Sequence, residues 1–230
     1  MILIIDNKDS FVWNLAEYVS FYDDMKVVPN TITLEEVKKI NPNGIIISPG
    51  PGAPNKKRDV ENCPEIIKNI NIPILGVCLG HQLIASVFGG AVEKIPPVHG
   101  KSSLIKHDGK TIFKNIKNPL EVGRYHSLGV VKLPKDFEIT ATTINNNSNS
   151  DNNNNNSSNN NNSSSNNNNN SSSNNNNNNS NNNSIIMGIR HKTKPIEGVQ
   201  FHPESVLTEW EDKEGLKIIK NFVNMALNYK

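Results

Sequence analysis

The sequence predicts an α/β fold: an open, mostly parallel, twisted sheet with helices on both faces and a smaller strand-rich edge. Two observations lead to this prediction. Short, continuous apolar runs, typical of parallel strands that are buried on both faces, alternate with helical patterns over residues 2–88. The second half of the chain is instead rich in strand-like runs.

The first half alternates strands and helices in chain order. Residues 2–5 predict a buried strand, and a helix that Asp9 or Ser10 caps follows it and runs to about Phe21. The sequence Thr-Leu-Glu-Glu at 33–36 is a capping box that opens a short helix. The remaining elements predicted here are strands at 26–29, 44–47 and 74–77 and helices at 63–69 and 80–88.

The second half is dominated by strands and closes with a helix. The predicted strands are 91–95, 104–106, 121–125, 137–142, 185–189 and 196–201. The last helix covers about 213–229, because its apolar residues recur at the spacing of a helix that docks one face on a core. Those residues are Ile218, Ile219, Phe222, Val223 and Ala226.

An Asn/Ser tract interrupts the second half. From Asn145 to Ser184 every residue is Asn or Ser except Asp151. Because such a segment buries almost no apolar surface, it cannot offset its ordering entropy, and we predict a disordered low-complexity loop insertion over 145–184. The remainder, about 190 residues, suits one domain, so we expect 1–230 to form a single domain that carries this insertion.

Composition excludes several classes of function. The formal net charge is only +2 and no basic block is present, so a nucleic-acid partner is not expected. No apolar segment is long enough to span a membrane, and the apolar start at 1–6 is too short for a signal peptide. The two cysteines, Cys63 and Cys78, do not make a disulfide framework, which favours a reducing, cytoplasmic location.

The sequence Gly-Val-Cys-Leu-Gly at 76–80 predicts a nucleophile. It follows an apolar run, and glycines on both sides of Cys78 permit the tight strand-to-helix turn of a G-x-S-x-G elbow, with sulfur in place of oxygen. We expect this turn to push Cys78 into an open site, and the backbone N–H of Leu79 to face a developing oxyanion. Cys63 has no glycine neighbours and is expected to be a core residue.

Two further segments supply partners for such a thiol. His202 and Glu204 are two apart, and in an extended backbone they face the same side, so the carboxylate can hold the imidazole and stabilise its cation. The glycine-rich loop 48–52 follows a predicted strand, at the sheet edge where open α/β sheets bind ligands. The sequence therefore predicts a Cys-His-Glu site beside this loop.

The motifs together resemble the class I (triad-type) glutamine amidotransferases. The similarity covers essentially the whole chain outside the Asn/Ser tract, and it is strongest to the glutaminase subunits of anthranilate synthase and of aminodeoxychorismate synthase. The motifs that carry it are Asp6–Phe11, Ser48–Gly52, Gly76–Gln82, His99–Lys101, Arg124–Leu128 and Gly198–Glu204.

The resemblance implies a flavodoxin-like sheet and a role for each matching position. Cys78 would be the nucleophile, His202 the base and acid, and Glu204 the carboxylate that orients it. Gly52 and Leu79 would supply oxyanion N–H groups, and glutamine would be held by the loop, the Gln82 side chain and the backbone at 127–128. The implied binding residues are Gly50, Pro51, Gly52, Leu79, Gln82, Ser127 and Leu128. No metal and no organic cofactor is implied.

The implied activity is hydrolysis of glutamine to glutamate, with the ammonia supplied to a chorismate-binding synthase subunit in a hetero-oligomer. Whether that partner makes anthranilate, 4-aminodeoxychorismate or both stays open. One alternative is a stand-alone cysteine hydrolase of γ-glutamyl compounds, which strong activity without a partner would favour. The other is a regulatory binding subunit without catalysis, which failure to form a thioester would favour.

Overall fold

The computed structural model describes residues 1–144, 184–208 and 211–229, which form an α/β structure. The strands are β1 Ile2–Asp6, β2 Met25–Pro29, β3 Gly44–Ile47, β4 Ile74–Val77, β5 Ala91–His107, β6 Leu120–Lys132, β7 Phe137–Thr143, β8 Ile186–His191 and β9 Ile196–Val199. The helices are α1 Val12–Ser20, α2 Leu34–Ile40, α3 Lys57–Val60, α4 Cys63–Asn69, α5 Leu79–Val87 and α6 Glu214–Asn228, with a short 3-10 helix at Thr111–Phe113.

All these strands belong to one mixed sheet. Its order is β2-β1-β3-β4-β9-β8-β7-β5-β6. The pairs from β2 to β9 are parallel and those from β9 to β6 are antiparallel. The parallel part has the 2-1-3-4-5 order of doubly wound folds, so the α/β prediction is confirmed. The strand-rich edge is continuous with the parallel part.

Alternate side chains of the parallel strands enter two different cores. Ile4 and Ile46 pack with residues of α1 and α6 on one face of the sheet. Ile5 and Ile47 pack with α2, α4 and α5 on the other face. This alternation follows from the two-residue period of a strand, and it explains why the strand sequences are apolar throughout.

The long strand β5 differs from the prediction of two separate strands at 91–95 and 104–106. It pairs with β6 along most of its length, and its register shifts between Lys94 and Val98 and again between His99 and Lys101. Pro96 and Pro97 lie inside the first shift, where the ladder needs no N–H donor from them. Most of this ribbon is exposed on both faces, so its sequence lacks the alternation that predicts a strand.

Helix starts follow the capping predictions in one of two cases. The Thr33 capping box is present, with both of its reciprocal hydrogen bonds. The prediction that Asp9 or Ser10 caps α1 was wrong in position, because the N-cap is Phe11 and makes no side-chain bond. Asp9 instead accepts a hydrogen bond from the Phe11 N–H at 2.8 Å, which shapes the turn before the helix.

The predicted insertion 145–184 lies outside the described residues, apart from Ser184 at its end. The single-domain organisation of 1–230 stays a prediction for the same reason. None of the helices in the described ranges combines the length and apolar character that a membrane crossing requires.

Candidate active site

Cys78 stands at a sharp turn between β4 and α5. Its backbone has φ 51° and ψ −99°, which is a strained conformation for a residue with a side chain. A Cβ on Gly80 would lie 2.3 Å from the Ile47 carbonyl oxygen, and one on Gly76 would lie 2.5 Å from the Gly80 backbone. Only glycine fits at these two positions, so the pattern at 76–80 does form an elbow.

The thiol is less open than the sequence predicts. Cys78 is only 7% exposed, and part of it packs against the core beneath the sheet. The turn is held in place because the Cys78 N–H donates to the Val199 carbonyl at 2.8 Å. Two cavities of about 150 and 530 Å³ share Cys78 in their walls, together with Gly50, Pro51 and Tyr125. Cys78 therefore lies where two cavities adjoin, under the loop that follows β3.

His202 and Glu204 lie side by side just after β9. The His202 Nδ1 atom is 2.7 Å from the Glu204 Oε1 atom, and both side chains are almost fully buried. The backbone here is tied to β6, since the His202 N–H donates to the Gly123 carbonyl at 3.1 Å. The Thr208 hydroxyl donates to the His202 carbonyl at 2.6 Å. These bonds fix the imidazole beside its carboxylate.

The surroundings of His202 favour its cation. Burial lowers the pKa of this imidazole, but the Glu204 carboxylate and a hydrogen bond with Cys78 outweigh burial and hold the pKa well above its ordinary value. Since His202 lines the larger cavity together with Cys78, the site brings a charged imidazolium to the thiol. An imidazolium next to a sulfur at a helix start is the arrangement that favours a thiolate.

Two aromatic rings pack around His202. The Phe11 and Tyr125 ring centroids lie 5.4 and 5.1 Å from that of His202, both edge-on. The Tyr125 hydroxyl is 3.0 Å from the Ser205 hydroxyl. Both rings line the larger cavity and help to shield the imidazole from water. The sequence singled out their motifs without giving these two residues a role.

The smaller cavity gathers every residue that the resemblance implies for glutamine binding. Its walls include the loop after β3, the start of α5 and part of β6. The predicted residues among them are Gly50, Pro51, Gly52, Leu79, Gln82, Ser127 and Leu128. Their roles in binding stay predictions.

One wall of this cavity includes a glutamine pair. The Gln82 amide nitrogen lies 3.1 Å from both the Leu128 carbonyl oxygen and the Gln200 side-chain oxygen. Gln200 is fully buried, and its own amide nitrogen lies 3.6 Å from the Cys78 sulfur. Gln200 was not among the predicted site residues, although it belongs to the motif that contains His202.

The glycine-rich loop is held by buried polar contacts. The Asn7 N–H donates to the Ser48 hydroxyl at 2.8 Å, and the Asn7 amide donates to the Ser48 carbonyl at 3.0 Å. The Ala53 N–H donates to the Asp59 carboxylate at 3.0 Å, and this carboxylate fills the space beside Gly52, whose φ is +103°. A side chain at 52 would displace the carboxylate, so the loop geometry depends on this glycine.

The second cysteine has the core position that the sequence predicts. Cys63 is fully buried at the start of α4, and burial raises the pKa of its thiol to about 12. It therefore remains a neutral thiol, unlike a nucleophile. Within the described ranges, no group of three or more His, Cys, Asp or Glu side chains is arranged to hold a metal ion.

His81 is a buried imidazole on α5, three residues after Cys78. It is fully buried, and neither of its ring nitrogens makes a hydrogen bond of ordinary geometry with the described residues. Burial lowers the pKa of His81 to about 3; the Gly198 backbone opposes this, and the nearby His126 adds to it. The folded protein therefore keeps this imidazole neutral, whereas the unfolded chain protonates it near pH 6.5.

We expect His81 to make the fold acid-sensitive. Between about pH 6.5 and 3 the unfolded state binds the extra proton, so each pH unit of acidification costs up to about 1.4 kcal/mol of stability. His81→Phe should flatten the fall in unfolding free energy between pH 7 and pH 5 by about 2 kcal/mol. Denaturant unfolding at several pH values measures this, with the exposed His99→Phe as control. An equally steep fall in His81→Phe would contradict the interpretation.

Comparisons with known proteins identify the family. The family model described as glutamine amidotransferase class-I matches residues 3–158 and 150–225. The chain belongs to the class I glutamine amidotransferase family. The fold, family and enzyme-class predictions are thereby confirmed, and the chain is the glutamine amidotransferase component of its enzyme.

Relatives of the same length narrow the comparison. Anthranilate synthase component 2 of Thermococcus kodakarensis is 50% identical, over 99% of this chain and 100% of the relative. The protein of the same description from Methanocaldococcus jannaschii is 48% identical, over 96% and 95%. Aminodeoxychorismate/anthranilate synthase component 2 of Bacillus subtilis is 40% identical, over 97% and 95%.

A solved structure agrees with the fold. A Thermoplasma acidophilum protein described as belonging to GMP synthase superposes with a TM-score of 0.73. It is 25% identical, and the alignment covers 99% of this chain and 94% of that protein. The class I glutamine amidotransferase therefore has the architecture that its sequence predicts.

Proposed function

We propose that this amidotransferase cleaves glutamine at Cys78, with His202 and Glu204 completing a triad, and delivers the ammonia to a synthase subunit that acts on chorismate. The observation that carries this proposal is the meeting of two features in one cavity wall. The strained elbow presents the Cys78 thiol there, and His202, paired to Glu204 at 2.7 Å, lines the same cavity.

The first half-reaction forms a thioester. The Cys78 thiolate attacks the side-chain amide carbon of glutamine, and the amide oxygen becomes an oxyanion that the N–H groups of Leu79 and Gly52 stabilise. The His202 imidazolium then protonates the amide nitrogen. The carbon–nitrogen bond breaks, ammonia leaves, and the γ-glutamyl group remains on the Cys78 sulfur.

The second half-reaction releases glutamate. Neutral His202 takes a proton from water as the water attacks the thioester carbonyl, and Glu204 stabilises the imidazolium that forms. Collapse of the second tetrahedral intermediate expels the Cys78 thiolate. Glutamine and water have then become glutamate and ammonia, and the enzyme is back in its starting state.

The two cavities suit the two ends of the substrate. The smaller one, lined by Gln82 and by residues 127–128, takes the amino-acid end of glutamine. The larger one is lined by His202, the group that protonates the leaving nitrogen, so ammonia departs on that side. We assign the larger cavity to the interface with the synthase subunit, because ammonia released into water is protonated and loses its nucleophilicity.

The relatives favour anthranilate as the partner's product. The relatives at 50% and 48% identity are named for anthranilate synthase alone, and the one at 40% carries both names. We place the reaction in the cytoplasm, because both cysteines are free thiols and the proposed chemistry needs Cys78 reduced.

A nitrogen-transfer assay tests this proposal. The complex with the chorismate-binding subunit is given chorismate and amide-¹⁵N glutamine, and the product is identified by mass spectrometry. We expect labelled anthranilate, and no label when unlabelled glutamine is used. Labelled 4-aminodeoxychorismate would overturn the product assignment alone. Glutaminase activity that transfers no nitrogen to chorismate would overturn the partner assignment and favour a stand-alone hydrolase.

A further inference from the structure

Arg124 and His126 lie near the catalytic histidine on β6, and the triad mechanism uses neither. They are only 5% and 6% exposed. His126 directly precedes Ser127 and Leu128, and all three line the smaller cavity. Two buried titratable side chains next to a substrate cavity require a physical reason for their presence.

Their hydrogen bonds leave one arrangement for the imidazole proton. The Arg124 Nε–H donates to His126 Nε2 at 3.1 Å. Because a guanidinium has donors only, this ring nitrogen must accept, and the single proton of a neutral imidazole lies on Nδ1. That nitrogen is 2.8 Å from the Leu128 carbonyl oxygen, to which it donates.

His126 stays neutral, so its proton remains committed to this bond. Burial lowers the pKa of His126 to about 4, the Leu128 carbonyl opposes this, and the charges of Arg124 and His202 lower it further. No proton is exchanged near neutral pH, which excludes His126 as a general acid or base there.

The Leu128 carbonyl joins His126 to the rest of the site. It accepts from His126 and also lies 3.1 Å from the Gln82 amide nitrogen. Gln82 in turn contacts Gln200, whose amide nitrogen lies 3.6 Å from the Cys78 sulfur. One carbonyl therefore fixes both the backbone and the side chain that face the smaller cavity.

We propose that His126, oriented by Arg124, is a positioning residue that turns the Leu128 carbonyl away from substrate and so sets the Ser127–Leu128 backbone and the Gln82 amide for binding the amino-acid end of glutamine. This inference rests on the proposed function. It assigns to His126 an effect on substrate binding and none on the reactivity of Cys78.

Two substitutions separate positioning from packing. His126→Phe keeps a ring of similar shape and removes the donor, whereas His126→Asn removes the ring and keeps a donor near the Nδ1 position. We expect His126→Phe to raise KM for glutamine about tenfold to hundredfold, the size of a lost buried hydrogen bond, with kcat changed much less. His126→Asn should recover most of this loss.

Thiol labelling adds a readout that a purely structural role would not move. A glutamine-shaped chloroketone needs the smaller cavity to reach Cys78, and iodoacetamide does not. In His126→Phe we expect chloroketone labelling to slow about tenfold or more while iodoacetamide labelling stays unchanged. Arg124→Met, which removes the donor to Nε2 and keeps an unbranched side chain, should show a smaller effect of the same kind and decides the matter if His126→Phe does not fold.

Each outcome bears on a different claim. Wild-type chloroketone labelling in the variants, or an equal loss with both reagents, overturns the positioning role. Failure of the chloroketone to label even the wild-type chain overturns the glutaminase proposal itself, and the inference with it. Ammonia-dependent synthesis by the complex should stay at the wild-type rate in all variants, because it bypasses this cavity.

Discussion

Cys78→Ala is expected to abolish glutamine-dependent synthesis while leaving ammonia-dependent synthesis at the wild-type rate. Without the sulfur no thioester can form, and the remaining oxyanion donors cannot replace a nucleophile. We expect kcat for glutamine to fall by at least about 10⁴-fold in the complex with the synthase subunit. The measurement is product formation with each nitrogen source in turn.

The matched control is Cys63→Ala, the same substitution at the other cysteine. Cys63 is a fully buried residue with a raised thiol pKa, so its loss should cost some stability and leave both activities in place. Glutaminase activity that survives in Cys78→Ala would contradict the proposal. Loss of both activities in Cys78→Ala would instead show damage to the complex.

Glu204→Gln is expected to have the second-largest effect. The Glu204 carboxylate is the main group that raises the His202 pKa against the effect of burial. The amide keeps the size and removes the charge, so burial should bring the pKa down and the imidazolium should be lost at lower pH. Since protonation of the leaving nitrogen needs that imidazolium, kcat at neutral pH should fall about 10²–10⁴-fold.

The pH profile gives this prediction its sign. In the wild-type enzyme the imidazolium persists well above pH 6.5, and in Glu204→Gln the alkaline limb of kcat should move to lower pH. Glu138→Gln, at a half-exposed carboxylate that pairs with Arg190, is the control and should leave the profile unchanged. An alkaline limb in Glu204→Gln at the wild-type position would remove Glu204 from the triad.

Much of the fold could be predicted from local patterns. The bounds of β3, β4 and α4 match the sequence prediction, because each is a buried apolar run or a short amphipathic turn between clear breaks. The β5 ribbon could not be predicted, because its residues are exposed on both faces and paired only through the distant β6. Short α3 has too few residues to show a helical period.

The site divides in the same way. Cys78, His202 and Glu204 belong to motifs whose spacing alone indicates their chemistry. Gln200 and His126 could not be assigned from spacing, because their contacts depend on how β6, β9 and α5 meet. The near-complete burial of Cys78 was equally hidden, since the covering residues come from elements remote in sequence.

The central claim is that the Cys78 sulfur carries the γ-glutamyl group during turnover. Rapid acid quench of the enzyme with glutamine, followed by proteolysis and mass spectrometry of the cysteine peptides, measures it directly. The account predicts one γ-glutamyl adduct, located on the peptide that contains Cys78 and absent from the Cys78→Ala variant. An adduct on Cys63, or glutamate formation with Cys78 never modified, would contradict it.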